Sequence, residues 1–327
     1  MAFPVAGSAP TPPIYPTGST GNGLSAAGFI PEIWSGKLIE KFYASTVLAA
    51  ISNTAYQGEI SGHGDKVKIR TKPTVTIKDY RADGLLELER PVGSVIDLLI
   101  DQGKYFNTIL DDVMDVQSDL NNLSLWSDDA ANQMKLVIDT AVLRSMVNQA
   151  ATQNRGATAG KISGNLNLGV TGTPLSLTAT PSTGDVEVLD MILRLGQALD
   201  EQNIPEAGRW IVLPTWAATL IKKSELRQVY LSGDGVSMLR NGRLGQIDRF
   251  TLYVSNLLPT GVAGGLAAGE TAIFAGSTHA LTFASQVTKV ETLRSEMTFG
   301  TILRGLQVYG SKVVDGTALA QAIVTPG

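Results

Sequence analysis

Residues 65 to 80 read DKVKIRTKPTVTIKDY, and every cation in the stretch falls on one parity. Lys66, Lys68, Arg70, Lys72 and Lys78 share it, while Val67, Ile69, Thr71, Val75 and Ile77 hold the other. Successive side chains of a strand point to opposite faces, so the stretch predicts one basic and one apolar face. Pro73 cannot donate to a ladder, which places the strand at an edge or in a projecting hairpin. The return arm, DGLLELERPVGSVIDLLID, brings Glu87, Glu89, Asp97 and Asp101 toward the cations. Each cross-strand pair of opposite charges contributes roughly 0.2–1 kcal/mol, and less where water screens it. Arms of ~15 residues would span about 50 Å at the rise of an extended chain. A compact domain of this length has a radius of gyration near ~20 Å. The hairpin should therefore reach beyond its own subunit, where it is marginal in water unless a partner covers it. Its basic face is expected to meet an acidic surface of another copy. A nucleic-acid groove would instead need aromatic platforms among the cations, and only Tyr80 is offered.

Composition narrows what the partner can be. The 327 residues, 43% hydrophobic and 17% charged, have the makings of one large or two ordinary folded domains. A net charge of -4 gives no bulk attraction for nucleic acid or a membrane. With no cysteine, disulfides, thiolate metal sites and cysteine nucleophiles are excluded, which suits a reducing cytosol. No apolar run approaches the ~18 residues of a membrane span. The start, MAFPVAGSAPTPP, lacks the basic and apolar regions of a secretory signal. We expect a protein made and used without export or insertion.

Residues 1 to 28 are uncharged and rich in Pro, Gly, Ser, Thr and Ala, a composition that cannot pack a core alone. In IPEIWSGKLIEKFYASTVLAA, Trp34, Leu38, Phe42 and Val47 recur at helical spacing after Pro31, predicting an amphipathic helix ending near Asn53. A second, longer helix is predicted over SDDAANQMKLVIDTAVLRSMVNQAA, with Ser127 as N-cap, Asp128 and Asp129 at its positive end, and a possible earlier start at Ser118. Residues 155 to 184 read as loop with short strands. A helix over GDVEVLDMILRLGQALDEQNI, a buried strand RWIVLP and a helix TWAATLIKKSELR then predict a small mixed lobe over 185 to 255. Strands follow at FTLYVSN, TAIFAG, VTKVETL and TILRGLQVYGSKVV.

Chemistry-bearing motifs are missing. His63 and His279 are the only histidines, and each stands alone. No HExxH, phosphate loop, dinucleotide fingerprint or GxSxG elbow is present. Asp111, Asp112, Asp115 and Asp119 could share a helix face, read as an acidic surface more readily than as a divalent-ion site. No catalytic residue, cofactor or metal is expected, and the chain reads as a non-enzymatic subunit of an assembly.

The stretch GRLGQIDRFTLYVSNLLP, residues 242 to 259, resembles a segment of the major capsid proteins of tailed double-stranded DNA bacteriophages, the Hong Kong 97-type capsid fold. The order around it is similar too. IPEIWSGKLIEKFYASTVL and GEISGHGDKVKIRTKPTVTI resemble that family's N-terminal arm and extended loop, and SDDAANQMKLVIDTAVL its spine helix. RWIVLPTWAATLIKK resembles the axial-domain strand and helix, and TILRGLQVYGSKVVDGTALAQAIV the closing strands. The resemblance implies an α+β subunit: tail and arm over 1–55, extended loop over 56–106, peripheral domain with spine helix over 107–184, axial domain over 185–279, and peripheral closing strands over 280–327. It implies pentamers and hexamers in an icosahedral shell around double-stranded DNA bound without sequence specificity, a portal protein, and no membrane. With only ~30 uncharged residues before the first helix, a separate scaffolding protein is expected rather than an internal one. The location implied is the virion, with assembly in the host bacterial cytoplasm. Some relatives cross-link the loop through Lys and Asn; none is expected here, because nothing identifies an acceptor for Lys66, Lys68, Lys72 or Lys78. Interface candidates are Trp34, Lys66, Lys68, Arg70, Lys72, Lys78, Glu87 and Glu89. The alternatives are an encapsulin-like nanocompartment shell and, from another class, an α/β enzyme built on the 185–255 lobe.

Overall fold

The structure is a computed structural model and describes residues 43–55, 66–73, 75–80, 88–112, 122–224, 245–296 and 298–327. Two compact units divide the chain, Met1–Lys41 and Phe42–Gly327. The first lies outside the described residues, and with it Trp34 and most of the predicted arm helix. Of that helix, α1 (Leu48–Ile51) is described, and residues 43–47 before it are not helical.

The second unit is organised around a seven-stranded mixed sheet. Its strands are β4 (Leu175–Thr178), β5 (Val186–Glu187), β6 (Arg209–Leu213), β7 (Gln246–Ile247), β8 (Phe250–Val254), β9 (Thr271–Ser277) and β12 (Leu319–Pro326), in the order β5-β4-β12-β9-β6-β8-β7. Both faces are covered. Ile211, Leu213, Ile273, Ala275, Ala320 and Ala322 point into one core with the helices α3 (Val188–Glu201) and α4 (Thr215–Lys223). Trp210, Val212, Ala272, Phe274, Leu319 and Ile323 point into the other, against α2 (Asn122–Ser145) and residues Val47 and Ile51. This explains why RWIVL and LAQAIV carry no alternation: a strand buried on both sides has no polar face to show.

A second sheet has three antiparallel strands in the order β10-β11-β3, formed by β3 (Gln102–Asp111), β10 (Leu281–Arg294) and β11 (Gly300–Val313). A third is the hairpin of β1 (Lys66–Arg70) and β2 (Val95–Leu99). The boundaries expected at 106/107, 184/185 and 279/280 do not follow these sheets. β3 already begins at Gln102, while β4 joins the seven-stranded sheet from the earlier segment. β12 returns from the C-terminal end to an interior position beside β9.

The 24-residue helix α2 spans about 36 Å at 1.5 Å per residue. Ser127 does not cap it, because the helix is already formed at Asn122. Ser127, Asp128 and Asp129 fall in a half that no core covers, so their side chains need no cap to be solvated or paired. Asp129 accepts a hydrogen bond from the Tyr43 hydroxyl. The C-terminal half buries Ile138, Val142 and Leu143, and Met146 follows just beyond it. Asp111 ends β3, and Asp112 pairs with Arg294, Nη1 to Oδ1 at 2.7 Å. Asp115 and Asp119 lie outside the described residues.

At the end of α3, Glu201 anchors the loop at 160–163. It accepts the Ile162 amide at 2.7 Å and the Ser163 amide at 3.1 Å. Desolvation alone would raise its pKa, but these amides, the Ser163 hydroxyl and Gln197 outweigh it and bring it down to about 2. A depressed carboxylate gives stability that is fully present above its unfolded value and lost as pH falls through its folded one. Melting temperature should therefore drop between pH 4.5 and about 2, and Glu201→Gln should flatten that part of the curve.

Candidate subunit interface

The base of the β1–β2 hairpin is fixed to its own subunit. Val67 pairs with Leu98 and Ile69 with Ile96, and this apolar side packs against Ala284 and Val308 of the three-stranded sheet. Gly310 of β11 allows the approach, because a Cβ there would stand 2.0 Å from the Leu99 carbonyl oxygen. Lys312 Nζ donates to the Asp97 carbonyl oxygen at 2.9 Å, adding a polar tie. The predicted parity thus holds through Arg70: Val67 and Ile69 turn inward, while Lys66, Lys68 and Arg70 are exposed.

The facing of charges is sparser than the sequence suggests. Lys68 stands opposite Asp97, but Lys66 faces Leu99 and Arg70 faces Val95. Thr71 closes the ladder by donating its amide to the Ser94 carbonyl oxygen at 2.9 Å. Beyond Pro73 the described arm is not a paired strand, and residues 75–80 are all exposed, Lys78 among them. Lys72, just before the proline, is exposed as well. Glu89 accepts from the Thr76 amide at 3.2 Å and the Thr76 hydroxyl at 3.3 Å. Glu87 lies outside the described residues. Pairing stops because Pro73 removes a donor and the return arm places Pro91 and Gly93 near the same level.

The consequence is an apolar surface left uncovered on the projecting arm. Val75 is 59% exposed, Ile77 89%, Leu88 99% and Val92 87%. Exposed apolar side chains gathered on one segment mark an interaction surface. A second surface lies on the three-stranded sheet. The register puts Tyr105 beside Leu306, and Ile302 between Ile109 and Leu293, all on one face. Tyr105, Ile109, Leu293 and Leu306 are all exposed. Between them Glu291 binds Lys289 at 2.9 Å and also pairs with Arg304. Those hydrogen bonds, the one from Lys289 first, lower the Glu291 pKa. Glu291 thus offsets one of the two cations beside it, and the apolar rows on this face stay uncovered. On the opposite face, the Phe106 ring lies where a Cβ on Gly305 would be.

Among the described residues, no three His, Asp or Glu side chains gather as a metal site. No described helix is long and apolar enough to cross a membrane. What the geometry presents is a subunit with a covered core and two uncovered apolar surfaces.

A family model for phage capsid proteins matches residues 97–322. The chain belongs to the phage capsid protein family. Solved structures agree along nearly the whole length. The structure of Mycobacterium phage Che8 is similar at 28% identity and a TM-score of 0.72, over 90% of this chain and 97% of that one. The capsid of cyanophage P-SCSP1u aligns at 14% identity and a TM-score of 0.70, covering 94% and 96%. The capsid of a native GTA particle, computed with C5 symmetry, aligns at 15% identity and a TM-score of 0.65, covering 91% and 96%. No curated protein matches the chain. The fold is the Hong Kong 97-type capsid fold, and the protein is a structural capsid protein of a phage virion.

Proposed function

We propose that this capsid protein assembles as pentamers and hexamers into an icosahedral head that encloses double-stranded DNA. The observation that carries this is the extended loop, whose base is locked to its own subunit while Ile77, Leu88 and Val92 have no cover. In this reading Lys66, Lys68, Arg70, Lys72, Lys78 and Glu89 rim the contact between copies, and Trp34 and Glu87 extend it. A separate scaffolding protein and a portal protein complete assembly in the host bacterial cytoplasm, and the genome is held without sequence specificity.

Electron microscopy of particles purified from cells, with nuclease-protected nucleic acid extracted from them, tests the reading. Closed shells holding double-stranded DNA support it. Shells that enclose protein cargo and no nucleic acid would make this a nanocompartment instead. The rim charges have their own test. Arg70→Glu should lower particle yield severalfold and leave the subunit folded, since Arg70 faces Val95 and loses no partner. Lys68→Glu sets a like charge opposite Asp97, which adds a penalty of roughly 0.2–1 kcal/mol within the subunit. Unchanged yield for Arg70→Glu removes the cations from the interface.

A further inference from the structure

Residues 43–53 are stitched to three different elements. Ser45 Oγ donates to the Val254 carbonyl oxygen at 2.8 Å, and Ser255 Oγ returns a bond to the Ser45 carbonyl at 3.1 Å, both at the end of β8. Asn53 bridges to β10, its amide on the Leu281 carbonyl at 2.8 Å and its carbonyl taking the Phe283 amide at 3.0 Å. Between these ends the Val47 amide donates to Asp139 Oδ2 of α2 at 2.7 Å. Asp139 is 1% exposed, and its Oδ1 has no hydrogen-bond partner. Val47 and Ile51 of the segment are buried in the core, Leu48 packs beside them, and the Tyr43 hydroxyl adds a further bond to Asp129 of the same helix.

We propose that residues 43–53 form a strap latched to α2 by Asp139, and that the latch tightens on acidification. The carboxylate under the strap leaves one oxygen, Oδ1, without a hydrogen-bond donor from the protein. Protonation removes that charge while Oδ2 still accepts from Val47. Burial accordingly pushes the Asp139 pKa up, against the opposing pull of the Val47 and Leu48 amides. The sign follows from linkage. The latched state holds the proton more tightly than the open one, so closure is strongest at low pH and weakens as pH rises through the latched value.

Other groups facing the latch are few. The strap from Tyr43 to Ala55 carries no charged side chain. A cavity of about 310 Å³ beside Asp139 is lined by Lys135 of the same helix, by Thr46, Ser52 and Thr54 of the strap, and by Phe283 and Gln307. Tyr309, stacked on Phe283, has a buried hydroxyl without a partner, whose pKa is raised by desolvation well outside this range.

Hydrogen exchange of the full chain, corrected for intrinsic rates, reads the latch directly. Protection of the Val47 and Leu48 amides should rise as pH is lowered from neutrality to the ordinary aspartate value of 3.8, by at most tenfold per unit. Asp139→Asn keeps the shape and an acceptor, and should hold the strap closed with no pH response. Lys135→Gln and Tyr309→Phe should both keep the wild-type response. Flat or falling protection in the wild type, a response surviving in Asp139→Asn, or one lost in Lys135→Gln would each overturn the proposal. The readout lies inside one subunit, so its failure is distinct from a failure to form shells.

Discussion

Changing Ile77 and Leu88 together to aspartate should abolish shell formation and leave the subunit folded. Both side chains are almost wholly in water in the isolated subunit, 89% and 99% exposed, so folding gains nothing from them. Surface changes of this kind usually alter stability by no more than about 0.5 kcal/mol. In a shell the balance differs. Covering either side chain with a neighbour stabilises the contact by about 1.5–3 kcal/mol. An aspartate at the same place loses that gain and adds the cost of drying a charge. Closed symmetry repeats the defect in every subunit, so a modest local loss becomes a failure of the whole particle. Sedimentation and negative-stain microscopy measure particle yield, and circular dichroism melts measure the subunit. Normal particles from the double variant would mean that this segment faces solvent in the shell, and the loop's role as a clasp would be lost.

Much of the subunit was legible because its cores impose regular patterns. Helix α3 buries Val188, Met191, Ile192, Leu195 and Leu199, the spacing of one helical face, and it was read directly. Strands β6 and β9 are short apolar runs bounded by turns, and they fell where expected. The parity of Lys66 to Arg70 also held, because the opposite parity packs on Ala284 and Val308. The pattern misled where it outran its cause. Val75 and Ile77 continue the alternation past Pro73, yet no sheet lies beneath them, so periodicity marked a face that only another molecule could cover. Ser127 looked like a helix start because capping residues are also tolerated on a solvated helical face. The register that gathers Tyr105, Ile109, Leu293 and Leu306 depends on three strands far apart in sequence, which no local window contains. Asp139 was invisible for the same reason: its partner is a backbone amide 92 residues away.

Loss of the Arg209 side chain should be the costliest single change around the seven-stranded sheet. Arg209 opens β6 and is 2% exposed, an unusual place for a cation. Its Nε donates to the Pro205 carbonyl at 3.0 Å, and Nη2 donates to the Ile204 carbonyl. Nη1 stands 2.7 Å from Asp200 Oδ1, close enough for an ion pair although its angle is poor for a hydrogen bond. Asp200 Oδ2 in turn holds Arg249 at 2.8 Å, and Arg249 reaches Glu206 at 2.7 Å. Arg249 and Asp248 form the two-residue turn between β7 and β8 with φ of +67° and +43°, a strained conformation for side chains of this kind. One carboxylate therefore ties the end of α3 to the start of β6 and to that turn. Arg209→Ala removes a buried cation, strips two carbonyls of their donor and opens a void, for an expected loss of about 3–5 kcal/mol. Asp200→Asn should cost less, because the Asp200 side chain is 38% exposed and the two carbonyls still hold Arg209. Urea melts of dissociated subunits measure both, and the double variant gives their coupling. If Asp200→Asn proves as costly as Arg209→Ala, the ion pair and not the carbonyl pair holds the cation. If both are nearly neutral, water reaches the guanidinium and the sheet stands on its apolar cores alone.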